Sequence, residues 1–256
     1  MKIKFLGKNN SQSKSTALAS FIIDEKLAVD AGSLASELSF SEQKKVNTIL
    51  ISHAHYDHIR DIPAFVFNNL ERQVQLYGLN SALNQISLHF LNGSIYPKFT
   101  DKSSFLGRPV LELCPMETRK KYTIGDYTII SIPMRHVVDA VGFEIISKDG
   151  KRIFYTGDTG AGLSNVWDQI NPALLIIDLT FPNRFKNEAN NSAHLCPDLL
   201  KNELDEFRKM KGYLPEIFPV HMYPQYEDEI IKEANEIANQ LGFKIRSLDS
   251  NNELIL

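Results

Sequence analysis

The sequence predicts an α/β fold in which two β-sheets pack together with helices on the outside. Three observations carry that expectation. Short β-branched runs alternate with longer amphipathic stretches, strands occur in both halves of the chain, and each half ends in helices. Phe21-Ile22-Ile23 and Lys26-Leu27-Ala28-Val29 read as strands, the second stopping at Asp30-Ala31-Gly32. Thr48-Ile49-Leu50-Ile51 is a continuous apolar run of the kind a buried strand needs. Thr128-Ile129-Ile130-Ser131-Ile132 and Val141-Gly142-Phe143-Glu144-Ile145-Ile146 read as paired strands, and Arg152-Ile153-Phe154-Tyr155 and Leu174-Leu175-Ile176-Ile177 as two more.

Helices are expected over 62–70, 82–91, 199–210 and 225–241. The last places Ile230, Ile231, Ala234, Ile237, Ala238 and Leu241 along one stripe. Pro197, just before the third, suits an opening helical turn. Residues 92–116 are poorly periodic and carry Gly93, Pro97, Gly107, Pro109 and Pro115, which marks a lid or inserted loop. The remainder is expected to be one domain over 1–256, with neither repeats nor low-complexity tracts.

Composition narrows the function classes. With 43% hydrophobic residues in 256, the chain can bury a substantial core. Lys and Arg total 28 against 31 Asp and Glu, a net charge of -3, which argues against a large basic surface for nucleic acid. No apolar run reaches the length of a membrane span, and the first residues lack the apolar stretch of a secretory signal. Cys114 and Cys196 are too few for a disulfide framework. A soluble, cytoplasmic, globular protein is the expectation.

Chemistry concentrates in the histidines. Of seven, three fall within six residues, in Ser52-His53-Ala54-His55-Tyr56-Asp57-His58. Chance would give three histidines at such set places at a frequency on the order of 0.005 in a chain of this length. The cluster follows the buried strand directly, so a rigid element ends where ligands begin. His53 and His55 alternate and point the same way off an extended backbone, while Asp57 and His58 fall in a turn and can face a second point. Imidazole and carboxylate suit zinc or a similar transition metal, and the cysteines that would close a structural zinc site are not near.

Three more strand ends deliver a ligand. His136 follows 128–132, Asp158 follows 152–155 in Thr156-Gly157-Asp158-Thr159-Gly160, and His221 follows Ile217-Phe218-Pro219-Val220. Alone, each is an ordinary polar residue at a turn. Together with the cluster they make five imidazoles and two carboxylates, enough for two metals bridged by Asp158. Two metals about 3.5–4 Å apart can hold a hydroxide between them, lower the pKa of water to about 7 and neutralise charge on a phosphoryl or carbonyl oxygen. The reaction class is metal-assisted hydrolysis.

His53-Ala54-His55-Tyr56-Asp57-His58, followed by His136, Asp158 and His221, resembles the metallo-β-lactamase superfamily. That resemblance implies an αββα sandwich of two mixed β-sheets with helices on the outer faces. It also implies that His53, His55 and His136 hold one metal, that Asp57, His58 and His221 hold the other, and that Asp158 is shared. Asp30 resembles the superfamily's acid behind the metal-binding loop, or is an ordinary turn or helix-cap aspartate. Within the superfamily, several segments resemble the class II cyclic-nucleotide phosphodiesterases: Val29-Asp30-Ala31-Gly32-Ser33, Ile95-Tyr96-Pro97-Lys98-Phe99-Thr100, Phe181-Pro182-Asn183-Arg184 and Ser192-Ala193-His194-Leu195-Cys196-Pro197. His221-Met222-Tyr223-Pro224 is a partial match. Ala193 and Cys196 stand where that group usually has Gly and Thr, Tyr223 where it commonly has Lys, and Asp61 where the superfamily often has a small residue.

The candidate catalytic residues are His194, Asp57 and Asp178. His194 lies just before a helix start, in a segment the resemblance brings beside the metals, and could bind a phosphate oxygen or protonate a departing alkoxide. Asp178 either orients His194 or simply ends its strand. His89 reads as structural and Cys196 as a packing residue.

The expected function is a dinuclear metal phosphodiesterase that cleaves small phosphodiesters such as 3′,5′-cyclic nucleotides by a metal-bridging hydroxide. The expected cofactors are two divalent metal ions, zinc foremost, with manganese or iron accepted by the same ligands. The alternatives are a tRNase Z-like RNA 3′-end endonuclease, or a hydrolase of a carboxylic ester, thioester, lactone or lactam. A flavodiiron oxidoreductase would need a flavin domain for which 256 residues leave no room. The expected partner is a small-molecule phosphodiester, with no strong nucleic-acid surface, no membrane, and a homodimer admitted.

Overall fold

The computed structural model describes residues 1–101 and 107–256. These cluster in two compact units. The first joins Met1–Gly7, Gln12–Glu117 and Asp249–Leu256, and the second joins Lys8–Ser11 and Thr118–Leu248.

The first unit is built on a mixed sheet of β1 (Lys2–Gly7), β2 (Ser20–Ile23), β3 (Leu27–Val29), β4 (Thr48–Ile51), β5 (Val74–Gly78) and β6 (Leu111–Pro115), in that order, with Glu253–Ile255 outside β1. β1 to β3 run antiparallel as a meander, and β3 to β6 pair in parallel. Helices α1 (Phe40–Gln43), α2 (Tyr56–Ile59), α3 (Ile62–Phe67) and α4 (Asn80–His89) fill the crossovers. Every residue of β4 is buried, as a parallel strand covered on both faces requires. Ile49 and Ile51 share a core with Phe65 of α3, Ile86 of α4 and Phe99.

The second unit carries β7 (Lys121–Ile124), β8 (Tyr127–Met134), β9 (Ala140–Ser147), β10 (Arg152–Tyr155), β11 (Leu174–Asp178) and β12 (Glu216–Val220), again in order. β7 to β10 are antiparallel, and β10 to β12 parallel. Its helices are α5 (Ser164–Trp167), α6 (Lys186–Ser192), α7 (Pro197–Lys211) and α8 (Glu227–Leu241). Trp167 meets Phe207 edge-on at 5.4 Å, in a core shared with Leu175, Leu204 and Ile230. Glu203, on α7, is buried beneath α5. Its carboxylate accepts from the backbone of Gly162 and Leu163 and from the Trp167 indole.

Two mixed sheets with helices are the α/β class the sequence predicts. The expected paired strands are β8 and β9, and the stripe of the last helix is buried at Ile230, Ala234, Ile237 and Ala238. The region 92–116 is corrected. It is not loop throughout, because Leu111–Pro115 is an edge strand and Phe99 sits in the core; residues 102–106 lie outside the described residues. Only Leu111 of β6 is buried, so its sequence carries no core pattern. Pro197 is the first residue of its helix rather than a residue before it. Among the described residues, no helix is long and apolar enough to cross a membrane.

Candidate metal centre

In the first unit β4 stops at Ile51, a bend follows at Ser52, and His55 is extended just before α2. His53 and His55 emerge on one side, with ring centroids 4.6 Å apart. Asp57 and His58 lie on one helical turn instead of an open one. The His58 ring comes within 4.2 Å of His53, and its Nε2 within 3.5 Å of Asp57 Oδ2. This turn rests on the backbone below it. A Cβ on Gly32 would stand 2.0 Å from the Asp57 carbonyl oxygen, so only glycine fits there.

Asp30 is more than a turn residue: it pairs with one of the candidate ligand histidines. It ends β3 at φ 54, a left-handed value that aspartate tolerates better than most residues. Fully buried, its carboxylate accepts from the Ser52 backbone and hydroxyl at 2.8 Å each and pairs with His58 Nδ1 at 2.7 Å. Asp61 does something different. Its Oδ2 accepts from the backbone of Ala35 and Ser36, which explains an acid where a small residue is common.

In the second unit the groups come from separate strand ends. His136 lies in the β8–β9 connection, Asp158 just after β10, Asp178 at the end of β11 and His221 directly after β12. Asp158 Oδ2 is 3.7 Å from His136 Nε2 and 3.3 Å from His221 Nε2. Ligand atoms of Asp158, Asp178, His194 and His221 all lie within 4.8 Å of one another. His221 takes φ 63, a value few non-glycine residues adopt and one that recurs at functional sites. The turn after β10 is crowded too: a Cβ on Gly160 would come 3.1 Å from Ala193 Cα.

His194 follows Ala193, whose φ of 56 closes α6 in the left-handed region. Alanine there costs roughly 1–2 kcal/mol in backbone strain that glycine would not. The departure from the usual Gly-His pair thus keeps its conformation. Asp178 Oδ2 meets His194 Nδ1 at 2.6 Å, as well as ending its strand. The fully buried Asp178 carboxylate also accepts from the Thr159 backbone at 3.0 Å and the Thr180 hydroxyl at 2.7 Å. His89 is exposed at the end of α4. Cys196 is fully buried in the core, where burial pushes its thiol pKa up, so it packs and is no nucleophile.

The donor set fits divalent cations. Metal-binding imidazoles characteristically anchor one ring nitrogen on a protein group and turn the other toward the metal. Here Nδ1 of His53 meets the Ser52 hydroxyl at 3.0 Å and Nδ1 of His58 meets Asp30. Nδ1 of His136 lies 3.3 Å from the Ala193 carbonyl, and Nδ1 of His221 lies 2.9 Å from the Thr180 hydroxyl. Four of the five expected imidazole ligands are thus fixed through Nδ1, so Nε2 is the atom that would coordinate a cation. Sequence reasoning did not find Ser52 or Thr180, because a lone hydroxyl beside a strand carries no periodic signal.

The family profile of the β-lactamase superfamily domain matches residues 29–222. Ribonuclease Z of Leuconostoc mesenteroides subsp. mesenteroides is 25% identical over 159 residues, 58% of this chain and 49% of that protein. The match spans about half the length of that relative. Among solved structures, the metallo-β-lactamase fold protein YhfI of Bacillus subtilis is 21% identical at a TM-score of 0.73, covering 92% of each chain. Yeast PDE1, unliganded, is 17% identical at a TM-score of 0.82 over 98% of each chain. The short form of human tRNase Z is 16% identical at a TM-score of 0.65, over 89% of this chain and 94% of that one.

Proposed function

The chain belongs to the β-lactamase superfamily, and from that premise we propose that it is a dinuclear metal-dependent phosphodiesterase acting on small phosphodiesters, 3′,5′-cyclic nucleotides first among them. His53, His55 and His136 would hold one cation and Asp57, His58 and His221 the other, with Asp158 available to both. When bound, such cations act as Lewis acids toward phosphoryl oxygens and make a water-derived nucleophile available near neutral pH.

The observation that carries the reading is the His194–Asp178 pair. Phosphodiester hydrolysis breaks a P–O bond, and the departing alkoxide needs a proton. His194 has Nδ1 on a buried carboxylate, which fixes the orientation of the ring. Nε2–H is then the proton the leaving oxygen takes. Resemblance to the class II phosphodiesterases at Phe181–Arg184 and around His194, together with likeness to yeast PDE1 along nearly all of both chains, supports phosphodiesters over lactams or thioesters. The identity to ribonuclease Z supports a second reading, RNA 3′-end cleavage, against which the net negative charge weighs.

Metal analysis combined with turnover of bis(p-nitrophenyl) phosphate, 3′,5′-cyclic AMP and a precursor tRNA tests these readings. Two divalent metals per chain with turnover of both small diesters is the expected result. In His194→Ala, turnover should fall about 10²- to 10⁴-fold with metal content unchanged. Metal loss in that variant makes His194 a ligand. Salt-sensitive cleavage of the tRNA without cyclic AMP turnover replaces the first reading by the second.

A further inference from the structure

Tyr56 interrupts the ligand run between His55 and Asp57, and its residue surface is 61% exposed. A large aromatic side chain this exposed, one residue from two candidate ligands, contributes little buried surface to the fold. Its ring is nonetheless held. Phe90 stacks on it at a centroid distance of 6.0 Å and an interplanar angle of 22°. Phe90 is fixed in turn by the segment that follows α4. Its carbonyl accepts from the Tyr96 backbone, Gly93 donates to the Tyr96 carbonyl, and Asn92 closes the turn onto Leu88 and Ser94. Leu88 and Ile95, on either side of Phe90 in sequence, are 63% and 65% exposed. The aromatic groups near His194 are spent on one another. Phe181 packs on Tyr223 at 5.9 Å, and the Arg184 guanidinium covers Phe185 and Tyr226 at 4.5 and 4.8 Å.

We infer that Tyr56, backed by Phe90, is a stacking ledge for the nucleobase of the substrate. The inference rests on the phosphodiester reading and adds to it the part of the substrate that does not react. A base has an apolar π-face and every base can stack, so the ledge favours nucleotides over alkyl phosphodiesters without choosing strongly among bases. Because Phe90 and its turn already hold the ring, stacking requires little ordering on binding.

Equilibrium binding of AMP and of ribose 5-phosphate to the metal-loaded protein tests this directly. The two ligands share sugar and phosphate and differ only in the base. The wild type should bind AMP roughly 10- to 100-fold more tightly. Tyr56→Ala should erase that preference while leaving ribose 5-phosphate affinity within about twofold, and Tyr56→Phe should preserve it, which controls for folding. Saturation transfer from the protein to the adenine protons, lost in Tyr56→Ala, is the spectroscopic counterpart. Equal affinities in the wild type, or an AMP preference that survives in Tyr56→Ala, overturn the ledge and leave the phosphodiester reading standing. Binding of neither phosphate, with no diester turnover, overturns that reading and the ledge with it.

Discussion

Asp30 in the first unit and Asp178 in the second are the same device used twice. Each is a fully buried carboxylate at the end of a strand, each accepts from one backbone N–H and one hydroxyl, and each holds the Nδ1 of a histidine, at 2.7 and 2.6 Å. The difference lies in the far side of the ring. The His58 side chain has no exposure, whereas that of His194 keeps 13%. Under the proposed roles, the sealed histidine suits a fixed ligand, and the one with an open edge can pass a proton to something that enters and leaves. The anchor is common to both, and access to solvent separates ligand from acid.

Breaking the anchor should therefore have opposite signatures in the two units. Asp178→Asn is the larger effect. An amide in place of the carboxylate meets donors from Thr159, Thr180 and His194 and no longer accepts from all three, so the ring loses its fixed orientation. We expect kcat for a phosphodiester to fall about 10²- to 10⁴-fold with metal content intact. An equal drop in bound metal would show that Asp178 serves the cations directly.

Asp30→Asn should act first on metal retention. With His58 no longer held, affinity should fall about 10- to 100-fold, read as metal released to a chelator in competition. A variant that keeps its metals and loses only turnover would erase the contrast with Asp178.

That contrast also explains what the sequence could disclose. The first unit's ligands lie in six consecutive residues after one apolar strand, so their spacing alone points to a metal. The second unit's ligands are single residues after β8, β10 and β12, and each is commonplace until the sheet brings those ends into line. β4, β8 to β12 and the long helices α7 and α8 are legible because burial imposes a period. β1, β5 and β7 are not, because each has half-exposed positions filled by Lys, Gln or Thr, as an edge or amphipathic strand allows. Glu203 was invisible for the opposite reason. On a helix whose polar residues face water, one glutamate turned inward looks like its neighbours.

Glu203 sharpens the comparison as a buried carboxylate with no histidine. It ties the start of α5 to α7 through two backbone N–H groups and the Trp167 indole. Glu203→Gln should cost about 2 kcal/mol in urea unfolding by leaving donors mispaired, with metal content and pH dependence of turnover unaltered. A change in the pH profile would mean that α5 and α7 transmit to His194, and the presence of a histidine partner would no longer separate structural carboxylates from working ones.

The smallest effect belongs to a carboxylate at the surface. Glu42, its side chain 34% exposed, is held down to a pKa of about 2, from an ordinary 4.5, mainly by the Lys4 ammonium and then by Ser39. Because the folded-state value is depressed, the contribution is complete above about pH 4.5 and is lost as pH falls toward 2. Water and salt screen the pair, so it should amount to less than about 1 kcal/mol. Unfolding of the wild type and Glu42→Gln at about pH 5.5 and again near pH 3.5 reads it: the gap between them should narrow at the lower pH and shrink further in high salt. A gap that does not change with pH would assign the effect of Glu42 to its neutral contacts at the start of α1.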